Sequence, residues 1–123
     1  MAERNIILII DDDNRNIFAL KAVLKAKGFI TVSASSAQEG LDILRNNQGI
    51  RLVLMDIMMP EMDGYEAIGL IRSQKEFAGI PVIAVTAQAM VGDREKVLEA
   101  GADAYVSKPI DVDRLLKLME QFK

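Results

Sequence analysis

The sequence predicts one α/β domain over residues 1–123, an open, doubly wound parallel sheet of five strands with five helices. Three observations carry that expectation. Short apolar, β-rich runs alternate five times with longer amphipathic stretches. Most of the runs are hydrophobic throughout instead of at every second residue, the pattern of a parallel strand covered by helices on both faces. No Pro/Ser-rich linker, low-complexity stretch or internal repeat interrupts the alternation.

In order, the strand candidates are Ile6–Ile10, Ile30–Val32, Leu52–Met55, Val82–Val85 and Ala104–Val106. Between them the period becomes helical. Ala37, Leu41 and Leu44 recur at i, i+4, i+7, and Leu115, Leu118, Met119 and Phe122 at i, i+3, i+4, i+7, so each stretch has one apolar stripe. Ser36 with Glu39 and Asp63 with Glu66 have the spacing at which side chains satisfy free N–H groups of a first helical turn. Asp13 or Asn14 caps the first helix. Gly28, Gly79 and Gly101 stand where helices are expected to end.

Composition removes several functions. With no His and no Cys, the chain holds no Ser-His-Asp triad, thiol nucleophile, disulfide or zinc site of the usual ligands. A bound metal must take oxygen ligands, which points to Mg²⁺, Mn²⁺ or Ca²⁺. Fifteen Lys and Arg against 18 Asp and Glu give a net charge of −3 with the cations scattered, which argues against direct nucleic-acid binding. The apolar run Ile6–Ile10 is far shorter than a membrane span or signal-peptide core, so the expectation is a cytoplasmic protein with no membrane partner.

Ligands of open parallel sheets bind beyond the carboxyl ends of the strands. The residues expected there are Asp11, Asp12 and Asp13 after the first strand, Asp56 after the third, Thr86 after the fourth and Lys108, followed by Pro109, after the fifth. Helix capping accounts for one acid of the triplet and not for all three. Carboxylates a few ångströms apart repel unless a cation or a proton relieves them, and a divalent cation with oxygen ligands does so directly. After Asp56 come Pro60 and the capping residue Asp63, so the chain turns away and leaves Asp56 free for chemistry. A hydroxyl and an ammonium facing a carboxylate beside a metal suit the three equatorial oxygens of a phosphoryl group in transfer.

These residues resemble the receiver domain of two-component response regulators over essentially the whole chain. The matching pieces are Ile9-Ile10-Asp11-Asp12, Met55-Asp56 with Met59-Pro60-Glu61-Met62-Asp63-Gly64, Val85-Thr86-Ala87, and Tyr105-Val106-Ser107-Lys108-Pro109. The segment Asp13 to Leu20 looks more like receivers attached to hybrid sensor histidine kinases than like the chemotaxis type. The resemblance implies a flavodoxin-like strand order of 2-1-3-4-5. It implies that Asp56 is the phospho-acceptor, that Asp11, Asp12, Asp56 and the main-chain carbonyl of Met58 organise Mg²⁺ (or Mn²⁺), and that Thr86 and Lys108 contact the phosphoryl group. Tyr105 matches the aromatic whose rotamer accompanies activation, and the Lys108–Pro109 bond is expected to be cis, as X-Pro bonds permit. Met58 and Gln88 match positions that border the path of the water hydrolysing the aspartyl phosphate.

The resemblance implies a phosphohistidine donor, and because this chain has no histidine the donor is expected on a partner, a sensor histidine kinase or a histidine phosphotransfer protein. The output is expected on the face formed by the fourth helix, fifth strand and fifth helix, acting on a downstream effector or on the remainder of a hybrid kinase. Such a domain catalyses its own phosphorylation and dephosphorylation without independent substrate turnover. Three alternative readings fit the sequence less well. A haloacid-dehalogenase-like phosphatase would use Asp11 and Asp13, but Arg15 stands where a Thr or Val is usual and the chain is short for a cap. A flavodoxin-like binder would need a Ser/Thr/Gly-rich phosphate loop where three aspartates stand. A non-phosphorylated receiver-like adaptor would have no need of a complete acceptor site.

Overall fold

A computed structural model describes residues 6–47, 49–59, 62–86, 93–108 and 110–122. The elements follow one another as β1 (Ile6–Ile10), α1 (Asn14–Ala26), β2 (Ile30–Ala34), α2 (Ala37–Asn46), β3 (Ile50–Asp56), α3 (Gly64–Ser73), β4 (Val82–Thr86), α4 (Asp93–Ala100), β5 (Ala104–Ser107) and α5 (Val112–Gln121). All pairings are parallel and the strand order is β2-β1-β3-β4-β5, so the doubly wound expectation holds.

The continuous apolar runs divide between two cores. Along β1, Ile7 and Ile9 pack with Leu20 and Leu24 of α1 and Leu115 and Met119 of α5, while Leu8 and Ile10 pack with Leu41 of α2 and Ile68 of α3 on the other side. The same alternation recurs in β3 and β4, where Leu52, Leu54, Ile83 and Val85 face one core and Val53, Met55, Val82 and Ala84 the other. Residues 82 to 86 are therefore buried without exception. The edge strands β2 and β5 are only partly covered. Among the described residues, no helix is long and apolar enough to cross a membrane.

Three expected caps are present. Asp13 caps α1, its carboxylate accepting the Arg15 N–H, which settles the choice between Asp13 and Asn14. Ser36 accepts the Glu39 N–H, and the Glu39 carboxylate accepts from Ser35, one residue earlier than an ideal capping box. Asp63 accepts the Glu66 N–H at the start of α3. A further cap, Asp111 on α5, lacks the downstream glutamate that would have marked it.

Two boundary expectations change. Strands β2, β3, β4 and β5 each run further than their apolar residues, because ladder hydrogen bonding depends on the backbone and continues through polar positions. Gly79 does not end a helix: α3 stops at Ser73 with Gln74 as its cap, and Gly79 lies in the turns that lead to β4. Gly28 and Gly101 do follow helices, with φ of 91° and 119° that side chains rarely tolerate. Gln88 and Pro109, and with Pro109 the expected cis bond, lie outside the described residues.

Candidate functional site

Register brings the chemistry together. In the ladder Ile10 lies opposite Met55, Asp56 opposite Val85 and Thr86 opposite Ser107, so Asp11, Asp56, Thr86 and Lys108 all emerge at one edge of the sheet. That edge is the carboxyl end of β1, β3, β4 and β5. Asp56 and Thr86 are the last residues of their strands, and Asp11 and Lys108 follow theirs directly. The Lys108 N–H donates to the Thr86 carbonyl at 2.7 Å, which fixes where the lysine leaves β5.

Asp11, Asp56 and Thr86 are 2%, 3% and 4% exposed, and they are the buried polar side chains among the described residues. Burial of charge is costly without partners, and the two carboxylates share one cation. The Lys108 Nζ lies 3.4 Å from Asp11 Oδ2 and 3.5 Å from Asp56 Oδ2. Asp11 Oδ1 accepts the Asp13 N–H at 2.9 Å, and Asp56 Oδ1 accepts the Met58 N–H at 3.2 Å. Burial, reinforced by the Asp11 charge, pushes the Asp56 carboxyl up to about 6, against the pull of the Lys108 ammonium and the Met58 N–H.

Asp12 completes an acidic cluster from the exposed side. Asp11, Asp12 and Asp56 offer carboxylate oxygens that all lie within 4.8 Å of one another. Oxygen donors alone, with a surplus of negative charge, fit a hard divalent cation such as Mg²⁺. Just beyond Asp56, Gly64 packs closely against Ile57, its N–H donating to the Ile57 carbonyl at 2.9 Å. A Cβ there would lie 2.6 Å from the Ile57 Cα and 2.7 Å from the Asp56 carbonyl oxygen, so this approach requires glycine.

The remaining site residues occupy different surroundings. Met58 is 57% exposed, while its main-chain N–H donates to Asp56. Tyr105 is half-buried, packed against the core that holds Ala84 and Val97. It also lines a shallow groove of about 250 Å³ with Leu98, Arg114, Leu118 and Phe122, between α4, β5 and α5.

One contributor was missed from sequence. The Asn16 side-chain amide donates to Asp11 Oδ2. Asn16 shares the helical face of Leu20 and Leu24, at i, i+4, i+8, so a polar residue in line with a buried apolar stripe was the available signal.

Comparison with known proteins agrees with this geometry. Residues 7–120 match the family model described as the response regulator receiver domain. The chain is 37% identical over 116 residues to the polar-differentiation response regulator DivK of Brucella ovis, covering 94% of each chain. A response regulator receiver protein from Pseudomonas putida superimposes with a TM-score of 0.90 at 30% identity, over 98% of this chain and 99% of that one. The signal receiver domain of a signal transduction histidine kinase from Syntrophus aciditrophicus gives 0.87 at 30% identity, over 96% and 89%. With an acidic edge, a lysine-bridged aspartate pair and a family match over nearly its full length, the chain belongs to the response regulator receiver domain family.

Proposed function

We propose that residues 1–123 act as one receiver unit in which Asp56 accepts a phosphoryl group from a phosphohistidine on a partner protein. The observation that supports this best is the pair of buried carboxylates, Asp11 and Asp56, bridged by Lys108 at the open end of the sheet. In the transfer an Asp56 carboxylate oxygen forms a new P–O bond as the P–N bond to the partner's imidazole breaks, and that bond's electron pair leaves with the nitrogen. Asp11, Asp12, Asp56 and the main-chain carbonyl of Met58 would hold Mg²⁺. When bound, the ion offsets negative charge on the acidic edge and on the transferred oxygens.

Lys108 already stands between the two buried carboxylates and meets the phosphoryl oxygens as they arrive. Thr86 supplies a hydroxyl from the end of β4, and its inward movement would vacate room for the Tyr105 ring. The groove between α4, β5 and α5 would then change shape for a downstream effector, or for the rest of a hybrid kinase, by a population shift. Met58 and, by its match to the family pattern, Gln88 would tune hydrolysis of the acyl phosphate. The donor is a sensor histidine kinase or a histidine phosphotransfer protein, the exchange takes place in the cytoplasm, and the domain catalyses its own phosphorylation without turning over a separate substrate.

Incubation with acetyl phosphate and Mg²⁺, followed by intact mass, tests the reading. One hydroxylamine-sensitive phosphate adduct, absent without Mg²⁺ and absent in Asp56→Asn, is expected. Absence of any adduct in the unaltered chain would favour the non-phosphorylated adaptor instead.

A further inference from the structure

Asp11 is almost wholly buried, and its backbone N–H continues the β1–β2 pairing by donating to the Ala34 carbonyl at 3.1 Å, which fixes its main chain and leaves its carboxylate to be oriented by other groups. Its orientation therefore depends on donors. Oδ1 is held by the Asp13 N–H at 2.9 Å, and Oδ2 receives both the Asn16 amide and the Lys108 ammonium, the latter at 3.4 Å. We propose that Asn16 is a positioning residue for the acidic edge: its amide keeps Asp11 turned toward Asp56 in the geometry that receives Mg²⁺, independently of where Lys108 points. The inference rests on the metal-holding reading given under Proposed function.

Two features of the structure favour this role over a helix-capping one. Asn16 is the third residue of α1, the position from which a capping-box side chain reaches back to the N–H of the capping residue. Here that N–H, on Asp13, is already given to Asp11 Oδ1, and Asn16 reaches past it to the other oxygen of the same carboxylate. A carboxylate only accepts, so the amide must present its NH₂.

The second feature is the division of Lys108. One ammonium serves Asp11 and Asp56 at nearly equal distance. When it turns to a phosphoryl oxygen, Asp11 Oδ2 loses that partner while remaining buried, and an unsupported buried carboxylate is costly. Asn16 is neutral and anchored on a helix, so it holds Oδ2 without competing for the phosphoryl group. Residues that orient a metal ligand in this way matter to affinity by about ten- to a hundredfold.

Isothermal titration of MgCl₂ into the unphosphorylated chain tests the role, using Asn16→Leu, which removes the donor at similar size, and Asn16→Gln, which keeps the amide on a longer stem. Asn16 is half-exposed on a helix, and both substitutes are better helix formers, so both variants are expected to fold; circular dichroism verifies this. Asn16→Leu should raise the Mg²⁺ dissociation constant about tenfold, with Asn16→Gln recovering much of the loss. With acetyl phosphate, the half-saturating Mg²⁺ concentration should rise in Asn16→Leu while the rate at saturating Mg²⁺ changes less. Affinity within about twofold of the unaltered chain in Asn16→Leu, or equal losses in both variants, would overturn the role of Asn16. An unaltered chain that takes up no Mg²⁺ would overturn the reading of the site itself, and this inference with it.

Discussion

The two ends of the sheet contain the same chemical ingredients and use them in opposite ways. At the amino end, the Arg72 guanidinium donates to the carbonyls of Gly101 (2.8 Å), Ala78 (2.9 Å) and Ile80 (2.7 Å) and to Asp103 Oδ2 (2.5 Å). The same Asp103 oxygen accepts the Val82 N–H at 2.8 Å, so one cation and one anion tie the end of α3, the start of β4 and the α4–β5 turn together. Cation and anion are matched one to one, and the carbonyls of two turns are satisfied. At the carboxyl end two buried carboxylates share a single ammonium at 3.4 and 3.5 Å, with a third carboxylate alongside. The first arrangement closes its hydrogen bonds and stabilises; the second keeps an excess of negative charge that a divalent cation can offset. Stability and chemistry are thus placed at opposite edges of one scaffold, about one strand length apart.

Substitutions should break this contrast with opposite signs. Arg72→Met leaves three carbonyls without their donor and should lower unfolding free energy by about 3 kcal/mol in urea melts, with acetyl phosphate labelling of the folded protein unaffected. A loss below about 0.5 kcal/mol would show that the amino-end network is not the anchor described. Asp56→Asn at the other end should stabilise the metal-free protein near pH 7, by about 2 kcal/mol, because it removes a charge that burial and Asp11 disfavour.

The pH dependence sharpens the same point. Asp56 titrates at about 6 in the folded chain against an ordinary value of 3.8, so between these values the folded state binds more protons than the unfolded one. Stability of the metal-free protein should therefore fall as pH rises through that window, and the fall should flatten in Asp56→Asn. An identical slope in both proteins would place the titration elsewhere. Saturating Mg²⁺ should restore stability above that window by binding the ionised cluster.

The smallest effect concerns the rim. Met58 offers water no strong hydrogen bond, and Met58→Asn should speed loss of the acyl phosphate about fivefold, the equivalent of about 1 kcal/mol. Met58 is more than half exposed, which leaves room for the introduced amide to reach solvent near the site. Decay equal to or slower than in the unaltered protein, at fixed Mg²⁺ and without a phosphatase, would contradict this.

How much of this was legible in the sequence differs between the two ends. The acidic edge is written locally: Asp11-Asp12, Asp56, Thr86 and Lys108 each sit where an apolar run stops, and parallel register then aligns them. Strand limits were less legible, since Asp56 and Thr86 are polar yet continue the ladder. The amino-end network is invisible in sequence because Arg72 and Asp103 are 31 residues apart and act mainly on backbone carbonyls, which carry no side-chain signature. Asn16 lies between these cases, marked only by its polarity on a buried helical face. The metal-ligand set comes from family resemblance, and the structure brings its three carboxylates within 4.8 Å of one another.

The central claim is that the carboxyl-end excess of charge serves phosphoryl acceptance at Asp56. Locating the adduct tests it most directly. After acetyl phosphate and Mg²⁺, borohydride reduction converts an aspartyl phosphate to homoserine, and trypsin then separates Asp11, Asp12 and Asp13, in the peptide ending at Arg15, from Asp56, in the peptide ending at Arg72. Homoserine at position 56, assigned by fragment ions that distinguish it from Asp63, is the predicted result. Homoserine at Asp11 or Asp13 would contradict the account and point to phosphatase-like chemistry at the end of β1.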